Sequence, residues 1–236
     1  LFPYTTLFRS DPLLKNGQRV YNEVNFLMKG AKKAMNPKFY ALPQAKQEAI
    51  IQAGFRVFGQ HTYKKAPMSA IADAAGISKP LLFHYFHNKK ELYFFLFDLL
   101  VQQTDDFLKE GGCYETLDFF ELFKSVTQTK AQLARLNPDW LAFSLKTYYE
   151  QDPEIMPELA QRMKQVKAKQ VQLMDKLDMS CFRPDIDFQL MYKDMTWAAQ
   201  GYLWEHVQRG SVDPETIETE FNQLIDFWKS LYLKKE

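Results

Sequence analysis

Between Pro43 and Phe58 the apolar residues Ile50, Ala53, Gly54, Val57 and Phe58 return at helical spacing, with polar residues between them. That spacing lines one face of an α-helix. Pro43 suits its first turn, where the amide hydrogens have no partner inside the helix. A polar break runs from Gly59 to Lys65. Pro67 then leads into a short helix, Met68–Ala75, which Gly76 ends because glycine takes a left-handed conformation without steric cost. Ser78 is placed to cap a third helix of about two turns, with Pro80 tolerated in its first turn. Asn88 is placed to cap a fourth, which continues through KKELYFFLFDLLVQQTDDFLKE.

Beyond Gly111-Gly112 the same periodicity predicts helices over Glu115–Arg135 and Asp139–Gln151, split at Asn137-Pro138. A longer helix is expected from Pro153 to about Asp178. SCFRPDID connects it to two closing helices, Asp187–Arg209 and Pro214–Leu233. The last carries Ile217, Phe221, Leu224, Ile225, Trp228, Leu231 and Tyr232, a seam close to a heptad. Strand-like alternation is scarce, and glycine (9) and proline (11) are few. The fold class expected is therefore all-α.

Charge divides the chain. From Met35 to Asp98 there are eight Lys/Arg against four acids, a balance of +4; from Leu99 to Glu236 there are 16 against 23, a balance of −7. A basic unit, residues 35–98, thus precedes an acidic one, residues 99–236, and the basic end is the one suited to a polyanion. The first ten residues, LFPYTTLFRS, resemble the translation of a common sequencing adapter and are expected to be non-native. Lys29-Gly30-Ala31 admits a purine-rich ribosome-binding sequence shortly before Met35. Residues 11–34 are accordingly read as translated upstream DNA, with the native start at Met35.

Candidate chemistry is sparse. Cys113 and Cys181 stand far apart without metal-ligand spacing, as expected of a reduced, cytoplasmic chain. His84 and His87 lack a third ligand, so neither a metal nor another cofactor is expected. No phosphate loop or nucleophile elbow is present, and no catalytic residue is assigned. The longest apolar run, Leu92–Val101 broken by Asp98, is about half a bilayer crossing and predicts no membrane span.

Two short helices joined by a three-residue turn have the layout of a helix-turn-helix. Ile71, Ala75, Ile77, Leu82 and Tyr85 are its predicted inward positions, and Ala72 is small where the helices approach. The run IADAAGISKPLLFHYFHNKKEL moreover resembles the TetR family of bacterial transcription regulators, which typically reads I-A-x-x-A-G-V-S-x-x-x-L-Y-x-[HY]-F-x-x-K-x-x-L. Ile71, Ala72, Ala75, Gly76, Ser78, Leu82, Tyr85, Phe86, Lys89 and Leu92 match residue for residue. The resemblance is strong over about 44–100; beyond that it rests on length and helical layout. Three departures stand out: Phe83 replaces a tyrosine whose hydroxyl reaches phosphate, Ala66-Pro67 a Ser/Thr cap, and Thr62 a loop glycine.

A recognition helix aims its N-terminal side chains into the major groove. Lys79 is placed there to reach a base edge or a phosphate, and Ser78, Pro80 and Leu81 share that end. Ser78 and its neighbouring amides suit a phosphate oxygen, and Ser69 is a weaker phosphate candidate. Phe83 reads either as a thymine-methyl contact or as packing. The resemblance implies backbone contacts for His84 and Tyr85 and a phosphate for Lys89. It also implies a double-stranded operator as partner, a homodimer built from the last two helices, and a small-molecule effector. The expected interface residues on those helices are Leu190, Ala198, Tyr202, Phe221, Leu224 and Trp228. A mainly apolar effector is expected against Trp140, Phe143, Tyr148 and Trp197. The reading that follows is a repressor released by such a ligand. Two alternatives stay open: a ligand-independent regulator, chromosome-organising or division-linked, and an enzyme built on a helical bundle.

Overall fold

The computed structural model describes residues 37–209 and 213–235; the non-native assignment of residues 1–34 lies outside them. Among the described residues ten α-helices follow one another: α1 Pro37–Tyr40, α2 Gln44–Gln60, α3 Met68–Ala74, α4 Lys79–Tyr85, α5 Lys89–Glu110, α6 Phe119–Leu136, α7 Pro138–Tyr148, α8 Met156–Met174, α9 Phe188–Arg209 and α10 Pro214–Tyr232. An isolated bridge pairs Phe182 with Leu233. The predicted helices are present, and the all-α class with them.

Their ends follow local chemistry. Ser78 accepts a hydrogen bond from the Leu81 amide (3.3 Å) and Asn88 one from the Glu91 amide (2.8 Å), so both predicted caps form. Gly76 stands at φ +66° and turns the chain between α3 and α4. α6 starts at Phe119 rather than Glu115, because Asp118 accepts from the Glu121 amide at 2.8 Å and sets the cap there. α1 was not predicted. Its Phe39 is 1% exposed, ringed by Phe86 and Phe95 at 5.1 and 5.3 Å between centroids.

Two apolar clusters organise the helices. The first joins α1–α5 to α7 and to the C-terminal half of α6, and takes in Leu203 and Ile217. The second gathers the start of α6 with α9, α10 and the connection around Phe182. The basic and acidic units therefore share a core rather than sitting as separate beads. α5 runs through the predicted boundary at Asp98 without a break. α2 lies against α7 closely enough that a β-carbon on Gly59 would meet the Phe143 amide at 3.2 Å and the Asp139 carbonyl at 3.3 Å.

Candidate nucleic-acid interface

α3 and α4 are seated by their inner faces. Ile71, Ala72 and Leu82 have no exposed surface and Phe86 has 1%. The turn closes on its own backbone, with the Ile77 amide bonded to the Ala72 carbonyl at 3.0 Å. What remains outside is a coherent surface. Ser69, Ser78, Lys79, Pro80 and His84 are exposed, and Leu81 is 36% exposed. The structure thus brings together most of the residues predicted to meet DNA, at the N-terminal end and outer side of α4.

Three predicted contacts differ in environment. Tyr85 is 7% exposed, its ring packed inward and edge-on to Phe39 at 6.3 Å, as its predicted inward position requires. Phe83 is half-buried against the main cluster, with the Lys79 ammonium 6.0 Å above its ring. Lys89 is engaged inside the protein. Its ammonium donates to the Lys64 carbonyl (3.1 Å) and lies 4.9 Å over the Tyr63 ring, and burial pushes its pKa down. Beside α4, residues Pro37, Lys38, Phe83, His84 and His87 line an open groove of about 380 Å³. His87 is exposed and binds Glu91 through its backbone amide (3.2 Å) and its ring (2.8 Å).

Behind this surface the helix-turn-helix is tied to the acidic unit by polar contacts the sequence did not reveal. The Tyr63 amide donates to the buried Glu150 carboxylate at 2.7 Å, and its hydroxyl to Glu154 at 2.8 Å. Burial, then that Glu154 bond, hold the Tyr63 phenol well above its ordinary pKa. The Tyr93 hydroxyl bonds Thr147 at 3.0 Å. Lys90 pairs with Glu158 (3.1 Å), which also holds Arg162 (2.9 Å), and Arg162 pairs in turn with Asp98.

The expected dimer residues fall into two sets. Leu190 (62%) and Ala198 are exposed, while Tyr202 and Leu224 are half-buried. Phe221 (2%) and Trp228 (3%) are already buried within the protomer. Both pack inside the protomer against Phe123, at 6.0 and 5.8 Å. α10 is apolar on two sides, and its outward side carries Phe227 (56%) and Leu231 (40%) instead. The four residues assigned to an effector do not meet in one cavity either. Trp140 and Phe143 are core, the latter against Phe55, Phe58 and Tyr93, whereas Tyr148 (45%) and Trp197 (57%) are on the surface. No group of His, Cys, Asp and Glu that could hold a metal occurs among the described residues, and no described helix is long and apolar enough to cross a membrane.

Residues 50–94, which span this surface, match the family model described as bacterial regulatory proteins, tetR family. That match spans the helix-turn-helix and the start of α5. No curated protein matches the sequence significantly. Among solved structures the chain is similar to a TetR family transcriptional regulator from Chloroflexus aurantiacus, with TM-score 0.62 and 20% identity over 85% of this chain and 99% of that one. It is similar to a fatty acid degradation regulator from Bacillus halodurans, with TM-score 0.56 and 21% identity over 82% and 96%. It is similar also to a ketosteroid transcriptional regulator of Mycobacterium tuberculosis, with TM-score 0.60 and 17% identity over 80% and 95%. At these identities the likeness is one of fold. The family model that residues 50–94 match is one of regulatory proteins.

Proposed function

We propose that this tetR-family regulator is a cytoplasmic, homodimeric repressor that binds a double-stranded operator through α4 and is released by a small, mainly apolar effector. The observation that supports operator reading is the division of α4. Leu82 and Tyr85 seat the helix, while Ser78, Lys79, Pro80, Leu81 and His84 are left open at the end whose amides suit a phosphate. Dimerisation is supported by the outward apolar residues Leu190 and Trp197 on α9 and Phe227 and Leu231 on α10. Large apolar residues exposed on the last two helices are what an association surface needs.

Effector release is supported by two strands. Two fold neighbours are named for fatty acid degradation and for ketosteroids. The ties from Glu150, Glu154 and Thr147 to Tyr63 and Tyr93 give the acidic unit a direct grip on the DNA-facing one. A ligand that prefers one arrangement of those ties shifts the population of binding-competent dimers. The test is operator affinity measured across a panel of apolar metabolites that raise the melting temperature. Release by a factor of about ten to a hundred is expected, the usual coupling range. Ligands that stabilise the protein yet leave operator affinity unchanged would favour the ligand-independent reading.

A further inference from the structure

α1 lies outside the residues 50–94 that match the family model. At four residues it is far too short to persist as an isolated helix, so tertiary contacts must hold it. Phe39 is its buried residue, 1% exposed, with the ring centroids of Tyr85, Phe86 and Phe95 at 6.3, 5.1 and 5.3 Å. The Gln47 side-chain amide of α2 clasps the turn that follows, donating to the Tyr40 and Leu42 carbonyls at 3.2 and 2.8 Å. These contacts fix α1 against the end of α4 and the start of α5. Pro37 and Lys38, both exposed, ride on that support.

Across from them is the outer side of α4. Pro37 and Lys38 line the open groove of about 380 Å³ together with Phe83, His84 and His87. The lining holds one ammonium, two imidazoles and no carboxylate. Glu91, the acid bonded to His87 through amide and ring, is not among the lining residues. His84 belongs both to this groove and to the exposed surface of α4, so the two are continuous. A cation beside apolar surface, open to solvent, is suited to a phosphate with its sugar.

We propose that this groove seats the sugar-phosphate strand flanking the major groove that α4 enters, with Lys38 as the phosphate contact. This rests on the operator reading above and adds to it an element outside the helix-turn-helix. The dimensions favour it. A helix with its side chains is about 10–12 Å across, and the major groove is about 12 Å wide. The strands bordering that groove therefore run alongside the reading helix, level with a residue fixed beside its outer face. Neutralising a phosphate there adds affinity for any sequence, since phosphates carry no base identity.

The test is a salt series of titrations of the full chain, Lys38→Gln and Lys38→Arg with operator selected by the unaltered protein and with scrambled duplex. Lys38→Gln is expected to weaken binding to both duplexes alike, by about two- to fivefold per protomer, the worth of one exposed ion pair. Its salt dependence should be flatter by about one unit per protomer. Lys38→Arg is expected to keep affinity and slope. Operators carrying one uncharged methylphosphonate at a time locate the contact. At one position of each half-site that change should cost the unaltered protein affinity and cost Lys38→Gln nothing further. Full affinity and slope for Lys38→Gln, an equal loss in Lys38→Arg, or a methylphosphonate profile identical in both proteins would each overturn the assignment. A loss for Lys38→Gln confined to operator, with a changed consensus, would mark a base contact and overturn it too. The scrambled duplex keeps the two readings apart. A chain that selects no operator sinks the reading of α4, whereas the dependence of scrambled-duplex binding on Lys38 still decides the groove.

Discussion

Lys79 and Lys89 both open helices, and at the level of sequence they are two equivalent cations next to a turn. Their surroundings differ. Lys79 is exposed at the start of α4, whereas Lys89 is spent on the Lys64 carbonyl and the Tyr63 ring. Lys79→Ala is therefore expected to cost about 1–3 kcal/mol on operator DNA and to relax preference at one position of each half-site, with a smaller loss on scrambled duplex. Lys89→Met is expected to lower folding stability by about 1 kcal/mol through the lost hydrogen bond and ring contact. Chemical denaturation and a salt series of DNA titrations separate the two. A Lys89→Met protein of full stability, with a salt dependence flatter by about one unit, would instead mark Lys89 as a phosphate contact. The caps were legible in sequence because Ser78 and Asn88 act within three residues of themselves. Lys89's partner was not, because a carbonyl in the preceding loop has no signature in residue type.

Among the helices, α10 shows where a periodic pattern stops being informative. Ile217, Phe221, Ile225 and Trp228 form one buried side; Leu224, Phe227 and Leu231 lie on another. Both sides repeat at helical spacing, so sequence alone merged them and put Phe221 and Trp228 at a dimer interface. Two classes of substitution are expected to separate the sides. Trp228→Ala should destabilise the protomer by about 3–5 kcal/mol, the usual cost of emptying an aromatic core position. Phe227→Asp with Leu231→Asp should dissociate the dimer while the protomer keeps its helicity. Sedimentation and circular dichroism on the same samples distinguish these outcomes. A dimer unaffected by the double substitution would place the interface elsewhere. The short elements were read more faithfully. Pro, Gly and Asn at α3, α4 and α5 restrict the backbone directly, whereas α1 is a helical turn held by Phe39 in a cluster of distant aromatic rings.

The molecule as a whole is a basic unit braced on an acidic one, and Glu150 is one of the braces. Its carboxylate receives the Tyr63 amide at 2.7 Å and the Gln151 and Asp152 amides at 2.9 and 3.0 Å. Glu150→Ala leaves the buried Tyr63 amide without a partner, and is expected to lower stability by about 1–3 kcal/mol. Any effector response should weaken with it, which operator titrations of that variant would register. The charge division between the two units was plain in sequence, but the brace was not, since its partners lie far apart along the chain. The central proposal is that this protein reads a symmetric operator through α4. The most direct measurement is selection of bound duplexes from a random pool, run in parallel with the unaltered protein and Lys79→Ala. The account expects enrichment of a two-fold symmetric consensus with half-sites about one helical turn, ~10 base pairs, apart, and a changed preference at one symmetric pair of positions for the variant. No enrichment over the starting pool, or the same consensus from both proteins, would contradict it.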